Sequence, residues 1–273
     1  KQAWKQSLSI SRDIGYQQDI ESSLNDLANV KWRAGDLAGA KKLFDQSLVV
    51  ANKTGNARAA AQARVNLAGL LYDGGDFPAA QRAQEEALEA FRRIGDKSGT
   101  ASTLSNLGMI VEARGDFAGA RTDYEEALST FTELGQKFGV ASAENKLANL
   151  LYEQSHYPEA KAMYERALAA FNEVGAKNGI LLAEGNLGNI QSTLGDLTQA
   201  RKMYGEALAL ARESQDNKSV AQSLQSIGNV LEAQGDLDAA RNHFEQALAA
   251  RKALGDADAV VGPELALAAL SIE

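Results

Sequence analysis

The chain has 273 residues, 45% hydrophobic and 23% charged, which is ordinary globular usage and excludes general disorder. A balance of 28 basic against 36 acidic residues gives a net charge of −8, which argues against nucleic acid as a partner, because phosphate backbones are held by basic patches. There is no cysteine, which excludes disulfides and zinc–thiolate sites and suits the cytoplasm, and the longest uncharged stretch, Ser98 to Val111, is too short and too polar to span a membrane.

Residues 1–20 carry the pattern of one amphipathic helix, with Trp4 and Leu8 on its apolar face and Gly15 as its stop. This helix has no partner before it and no initiating methionine, so the chain is expected to be a fragment of a longer protein. From residue 21 a 40-residue period begins. Gly35-Asp36 recurs as Gly75-Asp76, Gly115-Asp116, Gly195-Asp196 and Gly235-Asp236, and Ser155-His156 stands in the remaining copy. The copies fall at 21–60, 61–100, 101–140, 141–180, 181–220 and 221–260.

Each copy reads as two helices. In the third, Thr103, Leu107, Ile110 and Val111 form one apolar stripe at helical spacing, and Ala120, Tyr124, Ala127, Leu128 and Phe131 form a second. Between them Gly115 supplies a left-handed residue that ends the first helix, and Asp116 is placed to cap the second through its side chain. Gly135 ends the second helix, as do Gly55, Gly95, Gly175 and Gly255 in their own copies. The alanine after the turn (Ala40, Ala80, Ala120, Ala160, Ala200, Ala240) is constant, and the residue four further on is aromatic except at Gln84. Beyond the last copy, residues 261–273 are in register with a first helix and are expected to cap the array.

The run Asn106-Leu107-Gly108, Gly115-Asp116, Ala120, Tyr124 and Ala127-Leu128 resembles the tetratricopeptide repeat (TPR). Six copies in one register carry the likeness over nearly the whole chain. The usual unit is about 34 residues; this longer one is similar to the repeats of kinesin light chains, of Pins-type polarity adaptors and of bacterial signalling proteins. Beta-propeller blades of similar length would need strand alternation, which is lacking, and HEAT-type pairs do not explain the Gly-Asp turn. The resemblance implies an all-α, right-handed superhelical solenoid of antiparallel helix pairs, whose stacked first helices line a concave groove for peptides.

Chemistry is sparse. Only His156 and His243 could serve as imidazole bases, and they stand about two repeats apart; His156 reads as a drifted cap and His243 as a surface residue. Gly95-Asp96-Lys97-Ser98 lacks the spacing of a phosphate loop. No metal-ligand spacing is visible, so neither enzyme activity nor a cofactor is expected. The recurring Lys41, Arg121, Lys161, Arg201 and Arg241 are followed, except at Arg201, by an acidic residue four positions on, which makes an ion-pair ladder rather than a nucleic-acid ridge.

The polar face of the first helices is more specific. With Leu107 numbered as slot seven of its copy, slot nine holds Asn29, Asn149, Asn189 and Asn229, and slot six holds Asn66, Asn106 and Asn186. Asparagine is a mediocre helix former, but it donates and accepts at once and so matches a peptide backbone. The resemblance implies that such asparagines hold the backbone of an extended peptide. Inheritance by duplication and bonding between repeats are the competing readings. Trp32, Tyr72 and Tyr152 at slot twelve could pack on ligand side chains. Slots two, five, twelve and thirteen flank slot nine on the helical wheel. Around the groove Arg33 faces Asp73, Glu112, Glu153 and Glu232, so a neutral or basic ligand is expected rather than an acidic one. Slot five carries no lysine, which rules out a carboxylate clamp. The function expected is that of a non-enzymatic, cytoplasmic peptide- or protein-binding scaffold within a larger, bacterial signalling or regulatory protein. The alternatives are the peptide-sensing domain of a transcription regulator or kinase, and the substrate-recruiting arm of an attached enzyme.

Overall fold

The computed structural model describes residues 17–255 and 260–271, with side chains from residue 20 onward; Trp4, Leu8 and Gly15 lie outside these. Among the described residues the chain is all-helical. The helices are α1 (Gln17–Arg33), α2 (Leu37–Thr54), α3 (Ala57–Asp73), α4 (Phe77–Arg93), α5 (Lys97–Ala113), α6 (Phe117–Glu133), α7 (Lys137–Glu153), α8 (Tyr157–Glu173), α9 (Lys177–Thr193), α10 (Leu197–Glu213), α11 (Asn217–Ala233), α12 (Leu237–Leu254) and α13 (Val261–Ala269). They form two compact units, residues 1–139 and 140–273.

In the first unit each helix from α1 to α6 packs on the next, and α1 also touches α3. The turn at Gly115 shows why the chain reverses there. Gly115 has φ of 85°, a conformation costly for any residue with a Cβ. This lets the Asp116 amide return to the Val111 carbonyl at 2.9 Å. The Asp116 carboxylate then accepts from the Gly119 amide at 2.8 Å, satisfying one donor that the helix start leaves open. Asp36, Asp76 and Asp96 cap α2, α4 and α5 in the same way. Gly108 has a packing role. A Cβ there would lie 2.5 Å from the Tyr124 ring, so the glycine lets α5 and α6 close over the tyrosine. Tyr124, Phe44 and Ala120 are fully buried, and burying one such ring stabilises the fold by roughly 2–3 kcal/mol.

In the second unit each helix from α8 to α13 packs on the next, and α9 touches α11. Tyr164, Tyr204 and Phe244 are buried in the aromatic slot. The Ser155-His156 turn keeps the backbone path of its glycine counterparts. Ser155 takes φ of 62°, and the His156 amide reaches the Leu151 carbonyl at 2.8 Å. Only the cap is lost, because His156 makes no side-chain bond to the start of α8. Gln215 also adopts a left-handed φ, 56°, where Gly55 and its counterparts end second helices. The last described helix is α13, with Leu270 buried against α12.

Candidate ligand-binding face

The first helices α1, α3 and α5 in one unit, and α7, α9 and α11 in the other, carry the slots singled out above. Their asparagines fall into two groups. Asn66, Asn149, Asn186 and Asn189 are engaged. Asn66 donates to Asn25 of the preceding first helix at 3.4 Å and accepts from Gln62 at 3.2 Å. Asn186 donates to Asn145 at 3.2 Å and to Asn149 at 3.3 Å, again on the preceding first helix. Asn149 also accepts from the Tyr164 hydroxyl at 2.5 Å, and Asn189 accepts from the Tyr204 hydroxyl at 2.6 Å. Asn29, Asn106 and Asn229, by contrast, have no side-chain hydrogen-bond partner among the described residues. Bonding between repeats therefore explains part of the ladder, and leaves three residues with whole amides to offer, together with the side-chain NH2 groups of Asn149 and Asn189.

The slot-twelve aromatics are also engaged. The Trp32 indole donates to Asp73 of the next first helix at 2.8 Å and meets Phe44 edge-on at 6.3 Å. A Cβ at Gly69 would lie 2.7 Å from the Trp32 ring, so this ring covers the next repeat. Tyr72 meets Phe77 edge-on at 5.3 Å, and Tyr152 meets Tyr157 at a tilt at 5.4 Å. The Tyr152 hydroxyl lies 3.1 Å from Thr193 Oγ1. Of the flanking acids, Asp73 is taken by Trp32 and Glu112 by the Tyr124 hydroxyl. That hydroxyl is held well above the usual phenol range by burial and then by the Glu112 carboxylate.

Slot five is more covered than a helical wheel indicates. Asn145 and Ser105 are buried, and Asn145 is a partner of Asn186. The missed signal was the recurring 41-residue separation, seen in Asn25–Asn66, Asn145–Asn186, Trp32–Asp73 and Tyr152–Thr193.

A second recurrence joins slot four of a first helix to its own second helix. Arg64 Nε meets Glu86 at 2.9 Å, and Glu144 meets Arg166 Nε at 2.6 Å with the charges exchanged. In the next copy both residues are acidic, Glu184 and Glu206. Glu184 Oε2 is buried without a partner among the described residues. Burial first, and Glu206 second, push the Glu184 carboxyl from 4.5 up to about 7. His243 is held on its own helix, its ring 2.8 Å from the Ala239 carbonyl.

The model of the tetratricopeptide repeat matches residues 19–93, 99–173 and 179–253. The chain belongs to the tetratricopeptide-repeat family. Solved structures share the TPR fold. BtubC (BKLC) from P. vanneervenii has a TM-score of 0.70 at 23% identity, covering 81% of this chain and 92% of its own. A Rap protein complexed with Competence and Sporulation Factor scores 0.69 at 13% identity, covering 92% and 74%. The APC/C hetero-tetramer Cut9–Hcn1 scores 0.74 at 15% identity, covering 98% and 46%. No curated protein matches the sequence. Among the described residues of this TPR chain, no helix is long and apolar enough to cross a membrane.

Proposed function

We propose that this TPR chain is a non-enzymatic scaffold that binds an extended, neutral or basic peptide segment on the first-helix face of its units, as part of a larger cytoplasmic signalling or regulatory protein. The observation that carries the reading is the set of uncommitted carboxamides. Asn106 in one unit and Asn229 in the other sit at helix positions where alanine would serve the fold better, and neither side-chain amide has a partner among the described residues. A carboxamide offers both donor and acceptor to a peptide unit, so an extended strand satisfies it without a charge. The surrounding acids disfavour an acidic ligand. Support also comes from the fold: a Rap protein of the same fold is known in complex with Competence and Sporulation Factor, and Cut9 with Hcn1.

The test is to pan random linear peptides on the whole chain and to measure selected binders by calorimetry against Asn106→Ala and Asn229→Ala. A peptide held on one unit should lose ~0.5–1.5 kcal/mol through the variant in that unit, the net value of a neutral hydrogen bond, with no loss of fold stability. Selected peptides bound with undiminished affinity by both variants would refute the assignment.

A further inference from the structure

Between α9 and α11 the first-helix face opens into a cavity of about 400 Å³. At two other junctions the slot-five residue bonds to slot six of the next repeat, as Asn25 to Asn66 and Asn145 to Asn186; the cavity of about 490 Å³ beside Asn25 has Glu21, Asn56 and Arg58 in its lining, whereas the one beside Gly185 reaches Asn189, Tyr204 and Ser226. Here slot five is Gly185 and slot six is Ser226, and no side chain bridges them.

Gly185 has no conformational or packing reason to be glycine. It lies inside α9, where glycine weakens a helix, and it does not take a positive φ. A Cβ built on it meets nothing within 4 Å. Gly108, Gly188 and Gly228 each make room for an aromatic ring of the fold. Gly205 shares the openness of Gly185 but is not part of the lining of this cavity. What Gly185 leaves is space for something from outside.

The lining states the chemistry of the occupant. Leu181, Leu182, Ala207 and the Tyr204 ring make an apolar wall, with Leu182 itself 52% exposed. Asn189 and Gln222 stand among the polar groups around it. Asp216 is the one formally charged residue of the lining, and its carboxylate is committed to Ser219, at 3.2 Å to the backbone amide and 2.6 Å to the hydroxyl. A charged side chain would lose its water here without a matched partner. An apolar body gains by burial.

We propose that the Gly185 cavity is a specificity pocket for an uncharged aromatic or branched aliphatic side chain of the bound segment, whose flanking peptide groups meet Asn189 and Gln222. This rests on the peptide-scaffold reading and adds the residue class that the scaffold selects.

The pocket can be tested without a known peptide. The whole chain, labelled with ¹⁵N, is titrated with the N-acetyl amides of phenylalanine, leucine, lysine and aspartate. The phenylalanine and leucine probes should move the amide signals of Gly185, Ala207 and Ser226, and the lysine and aspartate probes should not. Gly185→Asn, which places in the cavity the side chain that Asn25 and Asn145 carry at this slot, should weaken the phenylalanine probe by about tenfold or more. Gly185→Ala should keep most of the binding, and thermal melts should show both variants at least as stable as the parent. No shift with any probe, shifts as large with the charged probes, or an undiminished shift in Gly185→Asn would overturn the proposal. Failure of these probes while panned peptides still depend on Asn229 would leave the scaffold standing and remove only the pocket. The reverse pattern would keep the pocket and remove the scaffold.

Discussion

Glu184 offers a sharp test of how the repeats are held together. Its counterparts in two other copies form ion pairs, Arg64 with Glu86 and Glu144 with Arg166, whereas Glu184 faces Glu206. A carboxyl raised from 4.5 to about 7 carries, at ~1.4 kcal/mol per pH unit, a full-weight penalty of ~3 kcal/mol. Glu184 is only half-buried, so solvent screening reduces this to ~1 kcal/mol. The sign follows from proton binding. The folded state holds the proton more tightly than the unfolded state, so stability falls as pH rises from about 4.5 to about 7. Glu184→Gln keeps the shape and nearly the helix propensity. It should stabilise the second unit by ~1 kcal/mol at pH 8 and by almost nothing below pH 4.5. Glu206→Arg should reach a similar gain by recreating the Glu144–Arg166 geometry. That gain is offset by up to ~0.5 kcal/mol because Lys202, which lies 3.8 Å from Glu206, loses its exposed partner. Repeat arrays need not unfold in one step, so amide exchange across α9 and α10 is the assay, run at both pH values. A gain equal at pH 4.5 and pH 8, or none at pH 8, would refute the electrostatic account.

Further outcomes follow from the turns, the inter-repeat bonds and a second raised carboxyl. Ser155→Gly with His156→Asp should stabilise the second unit by ~0.5–2 kcal/mol in urea denaturation, since it supplies the missing cap and relieves a left-handed serine; Gly115→Val should cost ~1–2 kcal/mol. Asn149→Ala and Asn186→Ala should each destabilise by ~1 kcal/mol, because they unhook one repeat from the next, whereas Asn106→Ala should leave the melting curve level or raised. Asp123, whose carboxyl is pushed from 3.8 up to about 6 by burial first and by Glu126 second, against the opposing Arg92, should behave as Glu184 does. Asp123→Asn should raise stability above pH 6 and leave it unchanged below pH 4, as read by thermal melts at the two pH values.

The helices were legible because each repeat states its own boundaries. Gly115 must turn left-handed, Asp116 must cap and Tyr124 must be covered, and these demands recur at one spacing in every copy that keeps them. The cap lost at His156 was legible for the same reason. What joins one repeat to the next was not. A helical wheel treats each helix alone, so it set slot five on the open face, whereas the neighbouring first helix covers Asn145. The step of 41 residues that pairs Asn25 with Asn66 and Trp32 with Asp73 depends on how far adjacent helices slide, which packing decides. For that reason asparagines that look alike in sequence divide into struts, such as Asn186, and uncommitted groups, such as Asn229. The wheel places the slot-twelve aromatics where a ligand could meet them, but it does not show that Trp32 lies over Gly69 or that Tyr72 and Tyr152 lean on their own second helices. The opposition of Glu184 and Glu206 was within reach of the sequence once Arg64–Glu86 and Glu144–Arg166 are seen to share a 22-residue separation. Gly185 stood in plain view as the one glycine at slot five, but its meaning needed the neighbouring Ser226.

A ligand on the first-helix face, held by amides that the fold leaves free, must bring its protons close to those amides. Cross-saturation from a protonated, panned peptide to the deuterated chain tests this most directly. Saturation should reach the side-chain amide signals of Asn229 and Asn189 for a peptide bound to the second unit, or of Asn106 and Asn29 for one bound to the first, while the second-helix residues Arg121 and Arg201 stay unaffected. Saturation centred on those second-helix arginines, with the asparagine amides silent, would contradict it.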